Sequence, residues 1–467
     1  MALLNEKTDR QKIIIFQRME VFQISTYITN LKSRTDRKEH ILKEFINRQE
    51  FAVNIMEACV NKIGAVGLWN SIIRIVQKAE EDGHEFVLIC EDDHQFTEHY
   101  SKEAFHNYIV TAKENGADIL AGGVSWFQDA LQITESMFWV NKFTGTQFIV
   151  VFRKFFKSIL DVDFKEGESA DYKMTSLSKK IFFTYPFISK QKEFGYSDAT
   201  LKNCGTDRVE ELFKNSEEQC DILNKITSFY NSNCAKSVIP QSYTNIAIST
   251  YIINLPERTE RREHIKKQFE ARSEFDVTII DACKHEIGAV GLWLSIRKVI
   301  QMAIANDDDV IIICEDDHEF TEHYNKEYLL RNILEAHQQG IDYLSGGTGS
   351  FGNAIPVTVN RYWVNPCSST QFIAVFNKFF KTILDEPFDE TVIADIKLSE
   401  MTANKMVLYP FISTQKDFGY SDVTAIHNSG SDFVKNMFDN AAKRLGYIQE
   451  AYLMYNHNDG YFANKGK

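Results

Sequence analysis

The sequence predicts two tandem α/β domains of one fold, each built on a largely parallel sheet. Two observations carry this: the chain repeats itself at a fixed offset, and within each repeat short apolar runs alternate with helical stripes. TYITNLKSRTDRKEHI begins at Thr26 and TYIINLPERTERREHI at Thr250, an offset of 224. The offset runs without a gap to GYSDAT (195–200) and GYSDVT (419–424). One extra residue near Ser429 then moves it to 225, as far as Tyr230 and Tyr455. Positions 26–100 and 250–324 share 42 identities in 75. A repeat of roughly 205 residues has the size of a whole domain and is far too long for a solenoid unit. The expected organisation is an extension at 1–20, a first domain at 21–231, a linker at 232–248 around SNCAKSVIPQS, a second domain at 249–456 and a tail at 457–467.

Within the first repeat, Thr26–Leu31 is a β-rich run followed by the charged turn SRTDR and a helical pattern to Asn47. Phe51–Ala58 alternates and reads as a strand. Leu68, Ile72, Ile75, Val76 and Ala79 fall at helical spacing and predict an amphipathic helix over Gly64–Glu81, with the same stripe at Leu292, Ile296, Val299, Ile300 and Ala303. Phe86–Cys90 and Val310–Cys314 are continuously apolar, as in a strand covered on both faces. A helix near 101–115, strands at 118–121, 137–141 and 147–152, helices near 155–160 and 170–179, and a last helix over 207–230 complete the unit. No GxGxxG follows the first strand, which argues against a dinucleotide-binding domain.

Composition narrows the function. The 467 residues are 44% hydrophobic and 25% charged with a net charge of −13, a globular balance that excludes nucleic-acid binding by bulk positive charge. No run reaches the roughly 18 apolar residues of a membrane span. The N-terminus does not read as a signal peptide. Eight cysteines without CxxC spacing read as reduced thiols. The expectation is a cytoplasmic protein, with peripheral contact to the inner membrane as the alternative.

The central strand of each repeat ends in Cys-Glu-Asp-Asp-His: Glu91, Asp92, Asp93 and His94, then Glu315, Asp316, Asp317 and His318. Ligands of open α/β sheets bind outside the carboxyl ends of the strands. In extended backbone Glu91 and Asp93 share one side and Asp92 takes the other. Two carboxylates about 4 Å apart repel by roughly 4 kcal/mol at an effective dielectric near 20, and a cation removes that cost. Glu91, Asp93, Glu315 and Asp317 are therefore the expected metal ligands, with His94 and His318 as candidate additional ones. Carboxylates suit Mg²⁺ or Mn²⁺, and the histidine leans toward Mn²⁺. The competing reading is a solvated acidic turn capping a following helix.

The blocks TNLKSRTDR, IGAVGLW, ICEDDH, STQFIAVF and YPFISTQKDFGYSD, in this order and spacing, resemble glycosyltransferase family 25, whose members include lipooligosaccharide and collagen galactosyltransferases. They cover most of each repeat. The resemblance implies a GT-A nucleotide-diphospho-sugar transferase fold and inverting transfer from a nucleotide-sugar donor, UDP-linked above all. The acceptor would be a glycan or a lipid-linked sugar, as in polysaccharide or lipopolysaccharide assembly. It implies that Glu91/Asp93 and Glu315/Asp317 hold the cation against the donor diphosphate. The family usually has an apolar residue where this chain has His94 and His318.

Arg34, Arg37, Arg258 and Arg261 follow the first strand of each repeat, where a guanidinium can bind phosphate or uracil in a bidentate way, or simply pair with a nearby acid. Gly64 and Gly67, with Gly288 and Gly291, would let a phosphate approach a helix start; a plain turn is the commoner explanation. Trp69 and Trp293 read as core. The general base of an inverting transfer would be an acid. Asp171 and Asp395, opening a helix, are favoured by the resemblance. Asp198 and Asp422, like Gln191 and Gln415, are further donor-binding candidates, and Gln147 and Gln371 are softer ones. Between 124–142 and 348–366 only 6 of 19 positions agree, with Trp126 facing Ser350, Met137 facing Arg361 and Lys142 facing Pro366. This segment is expected to be an acceptor loop that differs between the domains. Two alternatives stand beside transfer: a sugar nucleotidyltransferase, which needs a Gly-rich loop with a lysine after the first strand, and a non-catalytic sugar- or nucleotide-binding scaffold.

Overall fold

The computed structural model describes residues 23–195, 207–232, 246–387, 393–419 and 432–456. The chain divides into two compact units, 1–224 and 225–467, so the division falls inside the helix Arg208–Ser232. The extension at 1–20, most of the expected linker and the tail at 457–467 lie outside the described residues.

Among the described residues, unit 1 contains ten strands: β1 Ile24–Asn30, β2 Phe51–Glu57, β3 Phe86–Glu91, β4 His94–Phe96, β5 Ile119–Ala121, β6 Trp126–Thr134, β7 Met137–Thr144, β8 Phe148–Phe152, β9 Ile181–Thr184 and β10 Ser189–Gln191. Eight form one sheet in the order β2-β1-β3-β8-β5-β9-β7-β6, and β4 pairs with β10 beside it. Unit 2 repeats this element by element. Its strands β11 Ile248–Asn254, β12 Phe275–Asp281, β13 Val310–Glu315, β14 His318–Phe320, β15 Tyr343–Ser345, β16 Phe351–Pro356, β17 Arg361–Cys367, β18 Phe372–Phe376, β19 Lys405–Leu408 and β20 Ser413–Gln415 give the order β12-β11-β13-β18-β15-β19-β17-β16.

The sheet is mixed, which corrects the expectation of a largely parallel one. β1 runs parallel to β2 and β3, and β5 to β9, but the β3–β8, β8–β5, β9–β7 and β7–β6 pairs are antiparallel. Two residues join β6 to β7, far short of the dozen a parallel crossover needs. The divergent segment is accordingly an edge hairpin and not a loop. Its β6 strand shows no clean apolar alternation, because the buried Asp129 and the register shift between Gln132 and Thr134 interrupt it. The short strands β4, β9 and β10 were likewise not legible.

The helices are where the periodicity puts them. Gly64–Glu81 lays Trp69, Ile72, Ile75, Val76 and Ala79 fully buried on the sheet, worth about 1.5–3 kcal/mol for each large side chain. Trp69 stacks on Phe164 with ring centroids 5.1 Å apart, as a core residue should. Its counterpart Gly288–Ala305 is the one helix among the described residues long and apolar enough to cross a membrane by length and composition. Half of it is buried within unit 2, with Trp293, Ile296, Val299 and Ile300 at 0% exposure.

Gly67 opens the way for the chain that precedes this helix. A Cβ there would lie 2.5 Å from the Cys59 carbonyl oxygen, and Gly291 stands in the same relation to Cys283. Ser71 straps the same segment down, accepting from the Cys59 N–H and donating to the Gly67 carbonyl, each at 2.8 Å. Gly67 and Gly291 therefore serve close packing at the cleft edge.

Of the three divergent pairs, Met137/Arg361 is a change in the core. Arg361 is 1% exposed and bonds Asn332 at 2.9 Å, Gln339 at 3.1 Å and Glu335. The aligned residues of unit 1 are Met137 and Thr111, so an apolar–neutral pair has become a buried ion pair. Glu335→Thr alone strands the guanidinium and should cost unit 2 about 3 kcal/mol, whereas Glu335→Thr with Arg361→Met should come within about 1 kcal/mol of the parent. Urea unfolding followed by fluorescence checks this, and equal losses in the single and double variants would contradict it.

Candidate active site

The acids converge because three strand ends meet. Parallel pairing sets Thr29 of β1 against Glu91 of β3, so Asn30 lies beside the turn at Asp92. Antiparallel pairing of β8 brings the residues before it to the same place, with the Glu91 N–H bonded to the Gln147 carbonyl at 3.0 Å. Thr146 then donates to Glu91 at 2.6 Å, and Thr370 does the same to Glu315. Asp92 and Asp93 form the turn after β3 and not an extension of the strand, so the expected alternation does not apply; Asp92 accepts from Asn30 at 2.8 Å and Arg37 at 3.0 Å. Arg37 also reaches Asp93 at 3.3 Å, and Arg261 reaches Asp316 and Asp317, each at 3.1 Å. Strand β4, not a helix, comes directly after the acids, so helix capping does not explain them.

Burial, then the neighbouring Asp93, pushes the Glu91 carboxyl up to about 8, and Glu315 is raised equally beside Asp317. Burial also raises Asp93 and Asp317 to about 6, with Arg37 and Arg261 pulling the other way. Asp93 Oδ1 and Asp317 Oδ1 are buried without a hydrogen-bond partner. Paired, partly desolvated carboxylates with an orphaned oxygen fit a divalent cation. No group of three or more His, Cys, Asp and Glu converges among the described residues. Such a cation would therefore complete its shell with oxygens from water or a bound phosphate.

His94 and His318, the candidate additional ligands, do not converge with the acids but pack into the core. His94 is 0% exposed, bonded through Nδ1 to Ser189 at 2.8 Å, stacked on Phe148 at 4.6 Å and edge-on to Phe96 at 4.3 Å. His318 repeats these contacts with Ser413, Phe372 and Phe320. Burial holds both imidazoles well below their usual pKa, hence neutral. Without the imidazole, the donor set no longer favours Mn²⁺ over Mg²⁺.

Each acid pair lies in a cleft, of about 810 Å³ in unit 1 and about 660 Å³ in unit 2. Arg37, Arg261, Arg258, Gln191 and Gln415 line these clefts, as do Asp171 and Asp395. Arg34, unlike Arg258, is not part of the lining. Arg37 and Arg261 are committed to the aspartates, and their guanidinium carbons lie 4.8 Å from the rings of Phe194 and Phe418. They organise the acids. Gln147 and Gln371 are fully buried and donate to the Gly123 and Gly347 carbonyls at 3.0 Å, so they are structural. Asp198 and Asp422 lie outside the described residues.

Asp171 opens the helix Ala170–Leu177 at the cleft wall, its Oδ1 accepting from Ser169 and from the Tyr172 N–H at 2.8 Å. Asp395 instead takes the Ser369 N–H on Oδ2 at 3.0 Å and the Ile396 N–H on Oδ1 at 2.8 Å. Sequence reasoning missed Asn30, Thr146 and Tyr172. Asn30 and Thr146 sit in blocks already singled out, but only strand register puts them on the acids.

The fold and the cleft define a two-unit mixed α/β protein with an acidic cleft at the strand ends of each unit. No protein-family model and no curated protein matches the chain. Among solved structures, A197 from STIV is 11% identical with a TM-score of 0.26, over 38% of this chain and 87% of that one. An apo UDP-glucose pyrophosphorylase is 10% identical with a TM-score of 0.26, over 42% and 82%. Likeness at this level assigns neither a family nor an activity.

Because the Glu91 and Asp93 carboxyls are raised in the folded state, their contribution to stability is full below the ordinary carboxylate range and is lost as pH rises through about 6 and about 8. Without divalent cations, the melting temperature should therefore fall across this window. Glu91→Gln with Glu315→Gln should flatten the fall and raise the melting temperature at the alkaline end. An unchanged pH profile in that variant would contradict the assignment.

Proposed function

We propose that each unit is a metal-assisted glycosyltransferase of the GT-A kind, related to family 25. It would move a hexose such as galactose from a UDP-sugar to a hydroxyl of a glycan or lipid-linked acceptor, in cell-surface polysaccharide or lipopolysaccharide assembly. The single observation that carries this is the duplicated pair of buried carboxylates with an orphaned oxygen, set at the floor of a cleft in both units.

The cleft has two sides. On the β1–β2 side the first turn of the helix Gly64–Glu81 lines it, and Lys62 adds positive charge. A helix start beside a cation suits a nucleotide diphosphate. On the other side stand Asp171 and the β6–β7 edge. Bound at Glu91 and Asp93, Mn²⁺ or Mg²⁺ would offset the charge of the diphosphate leaving group. Asp171, held by Ser169 and its own helix start, would take the acceptor hydroxyl proton. The hydroxyl oxygen attacks the anomeric carbon from the face opposite the diphosphate, whose bond breaks with its electron pair, and the configuration inverts.

Thermal stability against UDP-, GDP- and CMP-sugars with and without Mn²⁺ tests this on the intact chain. A donor at 100 times its Kd should stabilise by about 2.7 kcal/mol. The shift should need the metal, shrink in Asp93→Ala and in Asp317→Ala, and vanish in the double variant. Separately, Asp171→Asn should leave the donor shift in place and lower the turnover of unit 1, measured with Asp317→Ala in unit 2, by roughly 10²–10⁴-fold. No shift with any nucleotide sugar would turn the assignment to a binding scaffold.

A further inference from the structure

The two clefts share their acids but not the wall facing them. In unit 1, Trp126 at the start of β6 and Tyr172 in the first turn of the helix Ala170–Leu177 meet edge to face, with ring centroids 6.4 Å apart. Both line the cleft. Tyr172 is 48% exposed, and Trp126 is partly exposed. The other four tryptophans, Trp69, Trp139, Trp293 and Trp363, are each 2% exposed or less. An indole held open beside a phenol at a cleft wall leaves in water an apolar ring face of the kind that the other four tryptophans bury. In unit 2 the aligned residues are Ser350 and Ile396. There Ile396 lines the cleft together with Ile393 and Met437, and Ser350 is not part of the lining. The same wall is aliphatic and has no ring.

Position selects the ligand. The sheet order places β2 at one edge, β6 at the other and β3 with its acids between them. Trp126 belongs to the edge strand farthest from β2, whereas Lys62 and the helix start follow β2 in the chain, and β3 with its acids lies between these two strands in the sheet. A nucleobase stacked there would lie on the wrong side of the carboxylates from the anion-binding helix start. A sugar ring fits. Its axial C–H face is apolar and pairs with an aromatic face, while its hydroxyls stay free to reach Asp171, one residue from Tyr172.

We infer that Trp126 and Tyr172 form an acceptor subsite in unit 1 that stacks a pyranose ring, and that unit 2, with Ser350 and Ile396, lacks it. This rests on the proposed transfer reaction only for the word acceptor; the binding of a saccharide by the aromatic pair stands or falls independently.

Trp126 supplies its own reporter, since it is the accessible indole among four buried ones. In the intact chain, without metal or nucleotide, acrylamide quenching of tryptophan emission is measured against methyl β-galactoside, methyl β-glucoside, N-acetylglucosamine and lactose, with UMP as the nucleobase control. At least one saccharide should protect the accessible indole, and UMP should not. Tyr172→Ile, which copies unit 2 at an exposed position, keeps the reporter and should weaken protection by roughly tenfold in Kd. Trp126→Ser should remove the quenchable component and, by calorimetry, the saccharide binding with it. Protection by UMP alone, protection unchanged in Tyr172→Ile, or no protection by any of the saccharides would each overturn the inference. Asp93→Ala should leave saccharide protection intact even where it abolishes the metal-dependent donor shift, so failure of the subsite and failure of the transferase assignment give different results.

Discussion

A single guanidinium in each unit holds the site together. Arg37 is clamped between Asp92 and Asp93, and Arg261 between Asp316 and Asp317, in surroundings from which water is largely excluded. Three carboxylates at one strand end would repel by several kcal/mol, and one internal cation offsets only part of that. The clamp offsets the charge of both aspartates at once. Glu91, held by Thr146 instead of by a cation, is left with the strongest tendency to stay protonated. The unit thus folds with residual acidic repulsion, aimed at the cleft, that a divalent cation would relieve.

Around this centre the two units keep everything that positions the acids and vary what stands across from them. The Asn–Asp–Arg cluster, the threonine on the glutamate and the buried histidine recur with nearly the same distances. The histidine belongs with this scaffold. Its ring fills an aromatic pocket, and its bond to Ser189 or Ser413 ties β4 to β10, or β14 to β20, which fixes the turn that carries the acids. Divergence after duplication took two forms with different consequences. Arg361 and Glu335 repacked a core position that never meets the cleft, whereas Trp126 and Tyr172 altered its wall. Sequence difference alone does not separate these; burial does.

The helices were largely legible, because a 3.6-residue stripe such as Leu68–Ala79 reports which face is buried without reference to any other segment. Gly64–Glu81 has the predicted limits. Strands β3 and β8 were legible as continuous apolar runs. Strand direction was not, since a run such as FIVVF reads the same whether its neighbours run with it or against it. A mixed sheet and a parallel one are therefore alike at that level. β9 is four residues long and fully buried, too short to show a period. At the site, the run of acids was legible, but its geometry was not: Asp92 and Asp93 lie in a turn and share one arginine, and His94 was misjudged. An imidazole beside acids has the composition of a metal site, and only the packing of Phe148, Phe96 and Phe45 around it shows a core residue.

The sequence by itself determined the duplication, the alternation of strand and helix, and the acidic strand end, because each is written in local order: a fixed offset, a period, a run of carboxylates. The tertiary structure alone decided which groups share a site. Thr146 follows Glu91 by 55 residues and Arg37 precedes Asp92 by 55, and both meet the acids because β1 and β8, far from β3 in the chain, are its two neighbours in the sheet. It also decided that Trp126 and Tyr172 face each other across the end of an edge hairpin and open into the cleft. Contacts of that range depend on register and strand direction, which backbone hydrogen bonds set only when the whole sheet has assembled.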